Sequence, residues 1–268
     1  MPELPEMENY RILLNQKIAG QTITDVQINR AKSVNVEPDE FINNVSRQKV
    51  VTVERRAKQL LFHLENGYLL LLHLMLGGRM FFGTTEEKPD RTIQIQFSFG
   101  EQNLYFIGLR LGYLHLYDKT CIQKELSDLG PEPLGQEFTE DVFIKLMEKR
   151  RGRLKSKLVD QQFLSGIGNC YSDEICFHAR ILPMREMNEL NQHEVIQLYQ
   201  SIRFVLQDAL KHGGYMEPFF QGDTLTGGYD SLCKVYDREG ETCVRCGVAI
   251  IKEIISSRKT FYCTGCQS

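Results

Sequence analysis

No apolar run in this 268-residue chain reaches the length that a membrane-spanning helix needs; the longest, Tyr68 to Leu76, is short and carries His73. The N-terminus is acidic and lacks the apolar stretch of a secretory leader, so the cytoplasm is the expected place. A basic excess is also missing. The net charge is −3, which counts against nucleic-acid binding, where a basic domain is the usual footprint. Internal repeats and low-complexity segments are absent, which excludes a solenoid or a solvating tail. The eight cysteines sit in a chain without an export signal, so reduced thiols around a metal are expected ahead of a disulfide framework. The length suits two modest domains or one large one.

Charge is uneven along the chain. Lys149, Arg150, Arg151, Arg153, Lys155 and Lys157 form a dense basic run, and Arg55, Arg56 and Lys58 a smaller one. Each reads equally well as a solvated helix face.

The opening MPELPEMENY predicts a helix. Pro5 suits a first turn, Glu6 and Glu8 suit the positive end of the helix dipole, and Met7, Tyr10 and Leu14 share one face up to a stop at Ala19-Gly20. From about Gln21 to Asp118 the chain reads as strands. Ile93, Ile95, Phe97 and Phe99 alternate onto one face, Gly100–Asn103 connects into Leu104–Tyr117, and Glu65-Asn66-Gly67 separates Val50–Leu64 from Tyr68–Leu74. Short turns between such strands predict an antiparallel sandwich. Gly130–Gly135 reads as a rigid linker, and the pattern beyond it is helical. Thr139 caps a helix that turns Phe143, Leu146 and Met147 inward, and a second helix is expected over Lys155–Phe163. Asn191 and Glu194 form a capping box for a long helix that buries Val195, Leu198, Tyr199, Ile202, Val205, Leu206 and Ala209 and closes at Gly213-Gly214. The chain is thus expected to be α+β, with domains at 1–130 and 137–232, a linker at 131–136 and a cysteine module at 233–268.

Three constellations carry chemistry. Cys243-x2-Cys246 and Cys263-x2-Cys266, sixteen residues apart, have the spacing of a structural four-thiolate zinc site; a disulfide or unrelated buried thiols are the alternatives. Between them Ile250–Phe261 reads as a hairpin with Arg258 and Lys259 near its tip, placed to meet phosphates. Gly166-Ile167-Gly168-Asn169 leads into a helix, which offers free N–H groups and a positive dipole end to a phosphate; a plain helix–helix turn is the alternative. The third is Pro2. Methionine before proline is normally removed, leaving a secondary amine that can attack an electrophilic sugar carbon and form an iminium ion. The following helix points its positive end towards that amine, and Glu3 is one residue away as a proton carrier.

In order along the chain, PELPEMENYR, RRAKQLL around Lys58, LGPEPL, SGIGNCYSDE, KVYDREGETCVRCG and FYCTGCQ resemble the wording of the formamidopyrimidine-DNA glycosylase/endonuclease VIII family over the whole length. That resemblance implies a β-sandwich with a flanking helix, a helical domain with a helix–two-turns–helix motif, and a zinc finger holding one structural ion. It implies damaged or distorted double-stranded DNA as partner, bound in a cleft between domains by a monomeric bacterial protein of the cytoplasm and nucleoid, with no membrane. It also implies base excision followed by β- and δ-elimination at the abasic site. Carried over position by position, Pro2 is the nucleophile, Glu3 its acid/base partner, and Lys58 a group beside the lesion. Asn169 and Arg258 clamp the flanking phosphates, Arg110 pinches another, Lys155 lies near the flipped base, and Gln221–Tyr229 closes over it. A basic cleft inside an acidic whole reconciles the net charge.

The chain departs from the family where three side chains fill the space of the flipped base. Leu76 stands for a Met, Leu109 for the Arg that pairs with the widowed base, Leu111 for a Phe, and Gly108 for a proline. Leucine can wedge a base step but cannot hydrogen-bond a base. The expected function is therefore a base-excision-repair DNA glycosylase with abasic-site lyase activity on oxidised bases and altered lesion and opposite-base recognition. The alternative is a catalytically weak or inactive relative that binds distorted, abasic or branched DNA.

Overall fold

The computed structural model describes residues 1–148 and 151–268; Lys149 and Arg150, which open the expected basic run, lie outside the described residues. The fold is mixed α+β and separates into two compact units. The first comprises residues 1–128 and 212–228, the second 129–211 and 229–268.

The first unit opens with α1 (Leu4–Ile18). Glu3 is its N-cap in a reciprocal capping box with Glu6, and Pro5 lies in the first turn, where its missing N–H costs nothing. Eight strands follow: β1 (Asp25–Ile28), β2 (Val50–Arg56), β3 (Gln59–Leu64), β4 (Leu69–His73), β5 (Arg79–Gly83), β6 (Ile93–Phe99), β7 (Gln102–Ile107) and β8 (Tyr113–Tyr117). They form two antiparallel four-stranded sheets, ordered β1-β6-β7-β5 and β2-β3-β4-β8. The core contains Met7, Tyr10 and Leu14 of α1 with Phe62, Leu70, Ile95, Phe97 and Phe106 of the strands. α2 (Pro38–Val45) interrupts the strands, and α3 (Lys119–Glu125) covers Leu61, Leu69 and Leu71 with Ile122.

Two strand expectations are corrected. Val50–Leu64 is a hairpin, not one strand; it turns at Ala57-Lys58, where Ala57 takes φ 54° and its carbonyl accepts from Arg55 Nη1 at 3.0 Å. Ile93 does not share a face with Ile95, Phe97 and Phe99. The register shifts between Ile93 and Ile95, and Ile93 packs instead with Tyr105 and Ile107.

The segment 212–228 belongs with the sandwich rather than with the helices on either side of it. The reason is Phe219, which is fully buried in the sandwich core. It meets Tyr10 edge-on at 5.4 Å, and its carbonyl accepts from Phe82 N at 2.7 Å. Asp223 organises the loop around it by accepting from the amides of Phe219, Leu225 and Thr226 and from the Thr226 hydroxyl. Burial raises the Asp223 carboxyl, but those donors outweigh it and hold the group below the usual carboxylate range.

The second unit contains α4 (Glu140–Glu148), α5 (Leu154–Leu158), α6 (Asn169–Ala179), α7 (Gln192–Lys211), and the hairpin β9 (Ile251–Ile255)–β10 (Arg258–Tyr262). The expected linker residues pack here: Gly130 N donates to Gln161 O and Ser165 N to Pro131 O. α5 is shorter than the expected Lys155–Phe163 helix; after Leu158 the chain turns, and Asp160 O accepts from Phe163 N and Leu164 N. The capping box of α7 has both bonds, Asn191 N to Glu194 Oε2 at 2.8 Å and Glu194 N to Asn191 Oδ1 at 3.0 Å. Buried Glu174 accepts from the amides of Lys234, Val235 and Tyr236, which fixes the chain entering the cysteine module.

His73 ends β4 largely buried, and burial together with the nearby Lys58 charge lowers its pKa to about 4. Between pH 6.5 and 4 the unfolded chain takes up a proton here that the folded chain refuses, so stability falls as pH falls, by up to about 3 kcal/mol. Urea unfolding at pH 7 and pH 4.5 checks this: wild type should lose more stability than His73→Gln, and equal losses would remove His73 as the cause.

Candidate functional site

The N-terminal corner of the first unit is built around one carboxylate. Glu6 is buried; its Oε2 accepts from Glu3 N at 2.8 Å and its Oε1 from Tyr215 N at 3.2 Å. The loop can come this close because residue 214 is glycine: φ is +69°, and a Cβ would lie 2.3 Å from Glu6 Oε1. Pro2 is buried just ahead of the helix, Glu3 is 2% exposed beside it, and Tyr215 Oη donates to the Met1 carbonyl at 2.8 Å. Pro2 therefore sits at the positive end of α1, next in sequence to Glu3, whose side chain takes part in the capping box of that helix.

Pro2 also lines a pocket of about 350 Å3 with Gly77, Gly78, Arg79, Arg91 and Glu217. The Glu217 carboxylate contacts Arg79 and lies 4.0 Å from Arg91, so the loop after α7 is tied to the start of β5. Arg79 Nε is buried without a hydrogen-bond partner. Lys58, at the β2–β3 turn, is 5% exposed and lies near His73. Its hairpin is tied to α1 through Arg55 Nε and Glu8 Oε2 at 2.8 Å. Burial would raise the Glu8 carboxyl, but Arg11 and Arg55 hold it below the usual range.

The loops 74–78 and 108–112 lie against each other. Gly108 has φ +72°, and a Cβ on it would stand 2.1 Å from the Gly77 carbonyl oxygen, so proline could not occupy this position. Leu76 and Leu111 project from these loops at 68% and 63% exposure, and Arg110, directly before Leu111, is exposed too. Leu109 does not project with them. It is 0% exposed and shares the core with Leu74, Met80 and Leu114. Its amide donates to Gln94 Oε1 at 3.0 Å and its carbonyl accepts from Ser33 Oγ at 3.4 Å. The apolar side chain follows the aliphatic core, and the turn is pinned on both sides of it.

The second unit holds the other expected groups. Gly168 is the N-cap of α6 and Asn169 its first residue. Asn169 Nδ2 donates to Lys259 O at 2.9 Å, while its Oδ1 is buried without a partner. Arg258 is exposed at the start of β10, beside the two-residue turn Ser256-Ser257. Lys155 is 1% exposed, with Nζ 2.5 Å from Asp173 Oδ1 and 3.2 Å from Asn169 O, so it faces inward. Asp173 Oδ2 accepts from Phe261 N at 3.1 Å. Burial pushes the Asp173 carboxyl up to about 7, against the pull of Lys155 and that amide. The pair straps α5, α6 and β10 together beneath Asn169 and Arg258.

Cys243, Cys246, Cys263 and Cys266 bring their sulfurs within 4.8 Å of one another, with Cys243 Sγ to Cys266 Sγ at 3.8 Å. Zinc–thiolate bonds of about 2.3 Å in a tetrahedron require sulfur separations of about 3.8 Å, so the residues fit one structural zinc ion with a closed coordination sphere. Tyr215, Glu6, Arg79 and Glu217 were not anticipated. Glu6 shows in the sequence only as a helix-start residue, and Arg79 only as a cation at the start of a strand. Tyr215 and Glu217 lie in a loop whose return to the sandwich has no local signature.

Three family models match the chain: the formamidopyrimidine-DNA glycosylase N-terminal domain over residues 1–113, the formamidopyrimidine-DNA glycosylase H2TH domain over 129–220, and a zinc finger found in FPG and IleRS over 240–268. The formamidopyrimidine-DNA glycosylase of Pelotomaculum thermopropionicum is 36% identical over 273 residues, covering 100% of this chain and 99% of that protein. That of Bacillus cereus is 34% identical over 275 residues with the same coverage. Lactococcus lactis Fpg in complex with DNA containing an abasic site superposes with a TM-score of 0.92 at 28% identity, over 99% of each chain. A mutant of that Lactococcus lactis protein in complex with DNA containing Fapy-dG gives a TM-score of 0.92 at 28% identity, over 100% of each chain.

Removing Lys155 should act through the fold. Lys155→Ala leaves the Asp173 carboxyl buried without its partner and should cost about 3–5 kcal/mol in urea unfolding. Lys155→Ala with Asp173→Ala should recover part of it. DNA affinity lost at unchanged stability would instead put Lys155 on the DNA. Chelation of the zinc ion should release one equivalent per chain and weaken DNA binding as the hairpin loosens.

Proposed function

Because the chain belongs to the formamidopyrimidine-DNA glycosylase family, we propose that it is a base-excision-repair DNA glycosylase and abasic-site lyase that uses Pro2 as nucleophile. The observation that carries the reading is the N-terminal corner: Pro2 at the positive end of α1, buried Glu3 next to it in sequence, and an adjoining pocket lined by glycines and arginines. With Met1 removed, the Pro2 nitrogen attacks C1′ of the damaged nucleotide. The bond from C1′ to the base breaks, and the base leaves with the electron pair and takes up a proton. The amine proton is lost, the sugar ring opens, and a positively charged iminium forms. That nitrogen draws electrons from C2′; a C2′ proton departs and the 3′ phosphate leaves, after which a second elimination releases the 5′ phosphate. Glu3 moves protons in these steps, and Lys58 holds a positive charge near the reacting nucleotide.

Asn169 Nδ2, the first amides of α6 and Arg258 suit phosphate contacts in the second unit, and Arg110 in the first. The partner is double-stranded DNA carrying an oxidised base or abasic site, and the place is the bacterial cytoplasm with its nucleoid. Among the described residues no helix is long and apolar enough to cross a membrane.

Opposite-base reading is reduced. Leu76 and Leu111 are apolar wedges, residue 109 is turned into the core, and Arg110, the exposed guanidinium of these loops, is assigned to a phosphate, which leaves no bidentate donor for the widowed base. Such a contact discriminates by about 1–3 kcal/mol. Excision rates opposite cytosine, thymine, guanine and adenine should accordingly fall within about tenfold of one another in single-turnover assays. A strong cytosine preference would contradict this. The primary test is borohydride trapping on a duplex with one abasic site: wild type should give a covalent adduct and Pro2→Gly none. Intact DNA binding with no adduct in wild type would make the chain a binder of damaged DNA.

A further inference from the structure

The geometry points to Tyr215 as a positioning residue for the Pro2 amine, through a hydrogen bond in which the amine N–H donates to the phenolic oxygen. The inference rests on the reading of Pro2 as nucleophile with Met1 removed. Tyr215 Oη donates to the Met1 carbonyl oxygen at 2.8 Å. That carbonyl carbon is the atom bonded to the Pro2 nitrogen. Across a peptide unit the oxygen and the next nitrogen are about 2.3 Å apart, so Oη and the Pro2 nitrogen are separated by no more than about 5 Å. Loss of Met1 takes away the carbonyl to which the Tyr215 hydroxyl donates and creates a new donor, the amine, no more than about 5 Å from Oη, a gap that the phenol closes by moving into the space the carbonyl leaves.

The phenol is held for this. Its backbone amide is bonded to Glu6 Oε1 at 3.2 Å, and Glu6 Oε2 is bonded to Glu3 N at 2.8 Å. One carboxylate thus fixes the spacing between the residue that carries the phenol and the residue after the amine. Gly214 takes the left-handed conformation that brings them together, where a Cβ would strike Glu6. Met216 and Glu217, the next residues, line the Pro2 pocket, so the same short loop reaches both the nucleophile and the site beside it.

The chemistry follows from the valence of a secondary amine. The neutral form has one N–H and one lone pair. An N–H donated to Tyr215 Oη orients the lone pair away from the phenol and leaves it to attack. The protonated form has two N–H groups, one for Oη and one to be lost before attack. A phenolic oxygen is both donor and acceptor and can serve in either state. Because the bond to the ammonium is charge-assisted, it favours the protonated form, and removing it should lower the pKa of the amine.

The test uses wild type, Tyr215→Phe and Tyr215→Leu, each full-length with loss of Met1 verified by intact mass. Single-turnover formation of the borohydride-trapped adduct on abasic duplex is measured from pH 5 to 9, with DNA binding alongside. Tyr215→Phe should bind DNA as wild type does, form adduct about tenfold more slowly at its plateau, and reach half-plateau about 0.5–1 pH unit lower. In parallel, the Pro2 amine is titrated by NMR in 15N-proline-labelled protein without DNA, where the same downward shift is expected. An unchanged rate and midpoint in Tyr215→Phe, with loss only in Tyr215→Leu, would reduce the residue to packing and overturn the proposal. If wild type forms no adduct, the lyase reading fails, and the NMR titration, which needs no DNA, still decides whether Tyr215 bonds the amine.

Discussion

The Glu6 carboxylate is the constraint on which the N-terminal corner depends. It is buried, and it accepts from the amides of residues 3 and 215, which lie far apart in sequence. Hydrogen bonds to a charged acceptor contribute about 1.5–3 kcal/mol each. A neutral, shorter side chain would withdraw the acceptor from both amides at once. The position of Pro2, the start of α1 and the path of the chain after α7 are therefore one structural decision.

The second unit applies the same device. Asp173 accepts from Lys155 and from the Phe261 amide, and Glu174 accepts from three successive amides at residues 234–236. In each case a buried carboxylate holds backbone in place, while Asn169 and Arg258, proposed to meet phosphates, lie nearer the surface. Asn169 and Arg258 owe their placement to this framework more than to contacts of their own. The acidic net charge is consistent with that division, since several carboxylates are inside and structural.

Much of this was legible because its signals are local. Pro5, Glu6 and Gly20 bracket α1; Asn191 and Glu194 open α7; the two Cys-x2-Cys pairs specify their own geometry. What escaped depends on context. Val50–Leu64 has no glycine, proline or asparagine to mark its turn, because Ala57 takes the left-handed conformation with Arg55 supporting its carbonyl. Ile93 keeps a clean alternation in sequence, yet a bulge turns it to the other face. α2 carries helix signals in Pro38, Asp39 and Glu40 that are easily lost among strands. Lys155 and Leu109 are the instructive cases at the site. The family resemblance implies a position near DNA for each, and in the fold both side chains face inward: one finds a buried carboxylate, the other an aliphatic core.

The inward turn of Leu109 bears on evolutionary reversibility. In a turn whose side chain points at solvent, leucine and arginine can be exchanged freely, and drift between them leaves no trace. Here the leucine fills space between Leu74, Met80 and Leu114, and Gly108 and Gly77 have closed the neighbouring loops to backbone contact. An arginine introduced by a single mutation would meet hydrocarbon, and the loops would have to reopen before it could reach outward. Stability therefore holds leucine at this position against drift towards a polar side chain, whatever the loop meets at the surface.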